Sequence, residues 1–226
     1  MLACFYCSKG HGLLEMIDKQ RRLIFVENPK TATNSVKIAL MGKENLYNPF
    51  DSRIATVGHH VPAILKKRYS SQWQDYTSFV VIRNTWDRAY SFFNFYCKTG
   101  ALSYQRISFD EWVEKGCPPP DEGHLRSLMR AWGIFDRPLC QLQYAEEVDE
   151  VILLNSFDAT ERHNELCTGL NQISTMLNFP LKDVPTDTNH SDRVMSSEIW
   201  NGVTVECIAE LFSDEIQHFG FMPPVH

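Results

Sequence analysis

Three short runs of apolar residues punctuate an otherwise mixed chain: RLIFVEN (22–28), TSFVVIR (77–83) and DEVILLNS (149–156). Each is short and nearly continuous, the pattern of a strand buried on both faces. The first stops at Asn28-Pro29, since proline cannot continue a ladder. Each run is followed by a segment with helical spacing. Residues 33–42 form one predicted helix, with Thr33 or Asn34 as its cap. TWDRAYSFFNFYCK (85–98) forms a second, with Thr85 as N-cap and Gly100 as stop. Residues 159–177 form a third. Shorter helices are predicted at 60–69, after the Gly58 break, and at 108–115, where Ser108 and Glu111 stand in capping-box positions. Apolar residues at Ile199, Trp200, Val203, Cys207, Ile208, Leu211, Phe212 and Ile216 predict a C-terminal helix over about 196–218. CPPPDEGH (117–124) reads as a loop within the domain, and no repeat, low-complexity segment or linker is evident.

Apolar strands alternating with helices predict an α/β fold, a central parallel sheet covered on both faces. Ligands of such sheets sit at the carboxyl ends of the strands. Two strand ends carry chemistry: Asn28–Ser35 and Arg83–Ser91. In the first, Lys30 supplies a mobile cation, Thr31, Thr33 and Ser35 supply hydroxyls, and a helix N-terminus follows that attracts anions. A triphosphate-binding P-loop reads GxxxxGKS, but this loop has no glycine and its lysine precedes the turn. The loop suits an anion other than a magnesium-bound triphosphate; an ordinary strand-to-helix turn with polar caps is the plain alternative. In the second, Arg83 ends the strand and can grip a phosphate bidentately, and Ser91 lies in the following helix. Asn84 can orient that turn, while Asp87 and Arg88 read as structural, for example as a pair on the helix surface.

Composition narrows the classes. The 226 residues fit one domain, 43% hydrophobic and 22% charged, with a formal net charge of −6. That charge argues against a protein that coats nucleic acid and against an extended basic groove for long anionic glycans, while leaving room for a small basic pocket. No apolar run reaches membrane-spanning length, and MLACFYCSKGHG lacks the features of a signal peptide. The expectation is a soluble cytoplasmic protein, although loss of an upstream anchor leaves the same pattern. Seven scattered cysteines do not suggest a disulfide framework. Cys4 and Cys7, with His11 beyond them, form a CxxC that reads as reduced thiols rather than as a zinc site.

Taken together, PKTATNS after one strand and RNTWDRAYS after the next resemble the two co-substrate loops of sulfotransferases that use 3′-phosphoadenosine 5′-phosphosulfate. RNTWDRAYSFF is similar to the RNPxDRxxSxY pattern of the carbohydrate-sulfotransferase branch, with Thr85 in the proline position. NHSDR (189–193) and DEIQHFGF (214–221) also resemble that branch, whereas LLNSFDA (153–159) departs from its arginine–phenylalanine–glutamate run and leaves the role of Asp158 open. The resemblance spans about residues 22–221, after an N-terminal extension of residues 1–20, and implies a single nucleoside-kinase-like domain over 1–226. It implies that Lys30, Thr31, Ala32, Thr33, Asn34 and Ser35 surround the 5′-phosphosulfate, with Lys30 neutralising the leaving phosphate. Arg83 and Ser91 would hold the 3′-phosphate, and Arg193 is a further candidate contact. The implied reaction is in-line sulfuryl transfer to a hydroxyl or amine of a carbohydrate or small metabolite, with no metal.

Transfer needs a proton acceptor, and histidine suits that role near neutrality. Within GHH (58–60), His60 matches the family's base best and His59 second; His190, His124 and Glu27 are weaker candidates. The acceptor's identity is open. The cluster Lys66, Lys67 and Arg68 is explained as well by a solvated helix face, and the aromatics of 85–96 divide between core and possible sugar stacking. A nucleotide-dependent kinase and a non-catalytic nucleotide- or partner-binding module are the rival classes.

Overall fold

The computed structural model describes residues 16–43, 54–55, 59–98, 106–118, 140–186 and 199–224. The three predicted strands are present: β2 (Leu23–Val26), β4 (Thr77–Arg83) and β5 (Glu150–Leu154). They pair in parallel, with Phe25 beside Phe79 and Arg83 beside Leu154. Two further strands, β1 (Met16–Asp18) and the short β3 (Ile54–Ala55), extend the sheet in the order β3-β1-β2-β4-β5. β1 runs antiparallel to both β2 and β3. The sheet is therefore mixed, which corrects the all-parallel expectation, and part of the expected N-terminal extension belongs to it. The cause is local. Asp18 Oδ1 accepts the backbone N–H groups of Gln20 and Arg21, each at 3.0 Å, and Arg22 adopts a positive φ of 53°. Those features close a tight hairpin, a connection open only to antiparallel neighbours.

Side-chain alternation divides the core between the two faces. Leu23, Phe25, Phe79 and Val81 pack with α1 (Thr33–Met41) and with residues of β5 and the helix that follows it. Ile24, Val26, Val80 and Ile82 pack under α4 (Thr85–Lys98). α2 (Pro62–Arg68), α3 (Ser70–Asp75), α5 (Phe109–Glu114), α6 (Leu142–Ala145), α7 (Ala159–Met176), α8 (Gly202–Leu211) and α9 (Ser213–Phe219) complete the described elements. α5 opens with the expected Ser108–Glu111 capping box. Asp158 caps α7 by accepting from the N–H groups of Thr160 and Glu161, which gives that residue a structural role. Gly169 allows α7 to lie close on β5, since a Cβ there would stand 2.6 Å from Ile152 Cγ2.

The single C-terminal helix expected over 196–218 is two helices, broken at the non-helical Phe212. α9 starts afresh and turns Glu215 into the core, where it is 1% exposed. Trp86, Phe92, Phe93 and Tyr96 are buried among Phe109, Trp112 and Trp200, so most of the aromatics of α4 are core. Expectations at Cys4, Cys7, His11, Gly58, Gly100 and 119–124 with His124, and at NHSDR with His190 and Arg193, lie outside the described residues. Among the described residues, no helix is long and apolar enough to cross a membrane.

Candidate functional site

The loop after β2 achieves without glycine a backbone course that usually requires it. Lys30 and Ala32 both adopt left-handed φ, 66° and 63°. Non-glycine residues there are strained, and such strain concentrates at ligand-holding loops. Left-handed residues also curl the main chain in the manner of anion-holding concavities. Thr31 and Thr33 each donate a hydroxyl to the Asn28 carbonyl, at 2.8 and 3.1 Å. These hydroxyls thus hold the loop's shape, and Thr31 is fully buried away from the cavity described below. The expected cap also changes. Ala32 is the N-cap of α1 and Thr33 its first residue, with no side chain capping the helix.

At the end of β4, Asn84 is the residue that caps α4, its Oδ1 accepting from Trp86 N at 3.2 Å. Thr85, expected there, sends its hydroxyl to Glu215 Oε1 at 2.6 Å. Asp87 and Arg88 are each 1% exposed and point to different partners, which corrects the expected surface pair. Arg88 donates to the Pro29 carbonyl and to Asn28 Oδ1, tying α4 to the first loop. Asp87 accepts from Arg83 Nε at 2.6 Å and faces Arg162 Nη1 at 3.1 Å, so one carboxylate orients two guanidinium groups. Arg83 Nη1 donates to the Lys30 carbonyl at 2.9 Å, while its buried Nη2 has no hydrogen-bond partner. Buried polar atoms are paired in the great majority of cases, so this orphan requires an explanation.

Both strand ends open onto one cavity of about 360 Å³. Lys30, Ala32, Thr33, Asn34 and Ser35 line it from the first loop and α1, and Arg83 and Ser91 line it from the second strand end. Of the residues expected at the co-substrate site within the described segments, only Thr31 is missing from its walls. Phe92 and Phe95 add apolar wall, and Lys30 Nζ stands 4.7 Å from the Phe95 ring centroid, a cation–π contact. A third wall comes from the end of β5 and from α7, including Leu154, Arg162 and His163. Arg162 and His163 were missed in the sequence, although the rule about strand ends pointed to β5 as well. Lys37, one turn beyond the loop residues on α1, was missed too. Four cations, Lys30, Lys37, Arg83 and Arg162, thus face a cavity in a chain of net charge −6.

Glu27 and His59 form the remaining wall. Glu27 Oε2 pairs with Lys37 Nζ at 2.8 Å, and its buried Oε1 has no partner. Burial pushes the Glu27 carboxyl up to about 7, although Lys37 pulls in the other direction. His59 Nδ1 lies 2.9 Å from the Glu27 carbonyl. Burial, with Lys37, Arg88 and Lys30 nearby, pushes the imidazole down to about 4 despite that hydrogen bond. His60 is 4% exposed and does not line the cavity. Of the two histidines, the cavity meets His59, while His60 is buried away from its walls. Among the described residues, no three His, Cys, Asp or Glu side chains gather as a metal-binding group. The chain matches none of the family models, curated proteins or solved structures with which it was compared.

Proposed function

We propose that the cavity binds 3′-phosphoadenosine 5′-phosphosulfate, and that the protein is a sulfotransferase with a nucleoside-kinase-like fold. It would transfer the sulfuryl group to a hydroxyl or amine of a carbohydrate or small metabolite. The observation that carries this reading is the meeting of PKTATNS and the Arg83–Ser91 strand end on one cationic cavity, with Arg83 Nη2 unpaired there. In this reading Lys30 and the start of α1 meet the 5′-phosphosulfate. Preorganised cations and N–H groups stabilise charge as it develops on the leaving phosphate. Arg83, oriented by Asp87, presents the free edge of its guanidinium to the 3′-phosphate, and Ser91 adds a hydroxyl. Arg162, held by the same Asp87, adds positive charge on the third wall.

Calorimetry with 3′-phosphoadenosine 5′-phosphate and AMP tests the reading. The expected result is a preference of about 100-fold for the bisphosphate, lost in Arg83→Ala, because a charge-assisted phosphate contact is worth on the order of 2–3 kcal/mol. Equal affinities would overturn it. Lys30→Ala abolishes turnover of the sulfuryl donor; a donor-binding protein with no turnover under any condition is the non-catalytic module.

A further inference from the structure

Glu27 is the last residue before the strained loop, and its carboxylate is divided in function. Oε2 is held by Lys37, whereas Oε1 is buried and unpaired in a residue that lines the cavity. A carboxylate 5% exposed is costly to bury, and packing alone does not account for leaving one oxygen open. The cavity's cations do not close that gap: Lys30 lies over Phe95, while Arg83 and Arg162 converge on Asp87.

We propose that Glu27 Oε1 is the proton acceptor of sulfuryl transfer, with Lys37 and His59 as the residues that position it. The proposal rests on the sulfotransferase reading. In the step, a lone pair on the acceptor oxygen or nitrogen forms the new bond to sulfur. The bond from sulfur to the 5′-phosphate oxygen breaks, and its electron pair leaves with 3′-phosphoadenosine 5′-phosphate. The acceptor's proton passes to Oε1 and then to solvent once the products have left.

The alternative base on this wall is His59. Its Nδ1 faces a backbone carbonyl, which can only accept, so the neutral ring carries its proton there, anchors the Glu27 main chain and keeps Nε2 as its basic nitrogen. The groups facing this corner are Lys37 from α1, Lys30 from the loop, Arg88 from α4 and His59 itself. In that environment the carboxyl titrates close to neutrality and the imidazole far below it. A base works best when its pKa lies near the working pH.

Water serves as the acceptor in the test, so no natural acceptor has to be identified. Sulfate release from 3′-phosphoadenosine 5′-phosphosulfate is followed against pH for wild type, Glu27→Gln, Glu27→Asp and His59→Asn. Affinity for 3′-phosphoadenosine 5′-phosphate is measured alongside. The wild-type rate is expected to rise with pH and inflect near 7. Glu27→Gln is expected to lose about 100-fold or more in rate, to lose the inflection, and to keep nucleotide affinity within about threefold, the spread expected when no charge contact to ligand is removed. Glu27→Asp restores part of the rate, and His59→Asn retains the inflection with a smaller loss. Retention of the rate or the inflection in Glu27→Gln overturns the assignment. So does a wild type that binds the nucleotide yet releases no sulfate at any pH. Failure of wild type to bind the nucleotide overturns the underlying sulfotransferase reading instead, and the assignment with it.

Discussion

Two buried polar clusters share the carboxyl ends of β2 and β4, and they differ in one respect. In the first, Asn28 donates to Val81 O and Gln141 Oε1, Gln141 donates to Arg83 O and Glu215 Oε1, and Thr85 donates to Glu215. Every partner there is protein, and the cluster ties β2, β4, α6 and α9 together. The second consists of the Glu27–Lys37 pair and the Arg83–Asp87–Arg162 group, where the contacts are as short but two atoms remain open, Glu27 Oε1 and Arg83 Nη2. Both open atoms belong to residues on the cavity wall. A closed polar network specifies a fold, whereas buried polar atoms without a partner cost stability. The difference teaches which buried charges are scaffold and which are site, and burial alone does not separate them, because Glu27, Arg83 and Glu215 are all 5% exposed or less.

The comparison is broken most directly at Glu215. Glu215→Ala takes the acceptor from the Thr85 hydroxyl, from the Gln141 backbone N–H and from one of the two N–H groups of the Gln141 side chain, all in the core. The expected loss is roughly 3–5 kcal/mol in urea unfolding; a loss below about 1 kcal/mol would mean that the closed cluster is not a scaffold.

The open cluster predicts an unusual pH dependence. Glu27 keeps its proton in the folded state up to about 7, whereas the unfolded carboxyl has already lost it above about 4.5. Its contribution to stability therefore falls as pH rises from about 4.5 to about 7. His59 takes up its proton near 4 when folded but near 6.5 when unfolded, so its contribution is lost as pH falls through that window. The two slopes oppose one another in wild type. Glu27→Gln unmasks the histidine slope, on the order of 3 kcal/mol gained between about pH 4 and 6.5, and His59→Asn unmasks the opposite one. Denaturant unfolding across pH distinguishes the three proteins; parallel profiles would sink the paired account.

Arg83→Met removes the orphan guanidinium nitrogen while Asp87 keeps Arg162. Affinity for 3′-phosphoadenosine 5′-phosphate should fall about 100-fold, or roughly 2.7 kcal/mol, against a smaller change in unfolding free energy. A stability loss without a loss of affinity would move Arg83 into the scaffold class. Ser91→Ala is the smallest expected effect. It weakens nucleotide binding by about 1 kcal/mol, the value of one hydroxyl hydrogen bond, and calorimetry measures it.

Much of the sheet was legible in the chain. Continuous apolar runs located β2, β4 and β5 within a residue or two, because a strand buried on both faces admits little else. β1 was not legible, since MID is too short to show a period and is held by a turn around Asp18. Both loops that face the cavity were legible from residue type and order. The caps were not: Thr33 and Thr85 carry the right side chains, but the hydroxyl of Thr33 turns back to the Asn28 carbonyl and that of Thr85 goes to Glu215 across the fold. Arg162 and His163 sit in a helix whose surface pattern resembles any solvated helix, and only the carboxyl end of β5 brings them to the cavity.

By itself, the sequence determined the alternation of strands and helices, the glycine-free lysine loop and the arginine that ends β4. These follow from side-chain periodicity and backbone preference, which act within a few residues. Only the tertiary structure decided that the hairpin makes the sheet mixed, that His59 rather than His60 meets the cavity, and that Glu27 and Arg83 each hold one atom open. Those outcomes depend on which groups a buried atom finds across the fold. Burial makes an unpaired polar atom costly, and it is that unpaired atom, not burial itself, that separates a residue of the site from a residue of the scaffold.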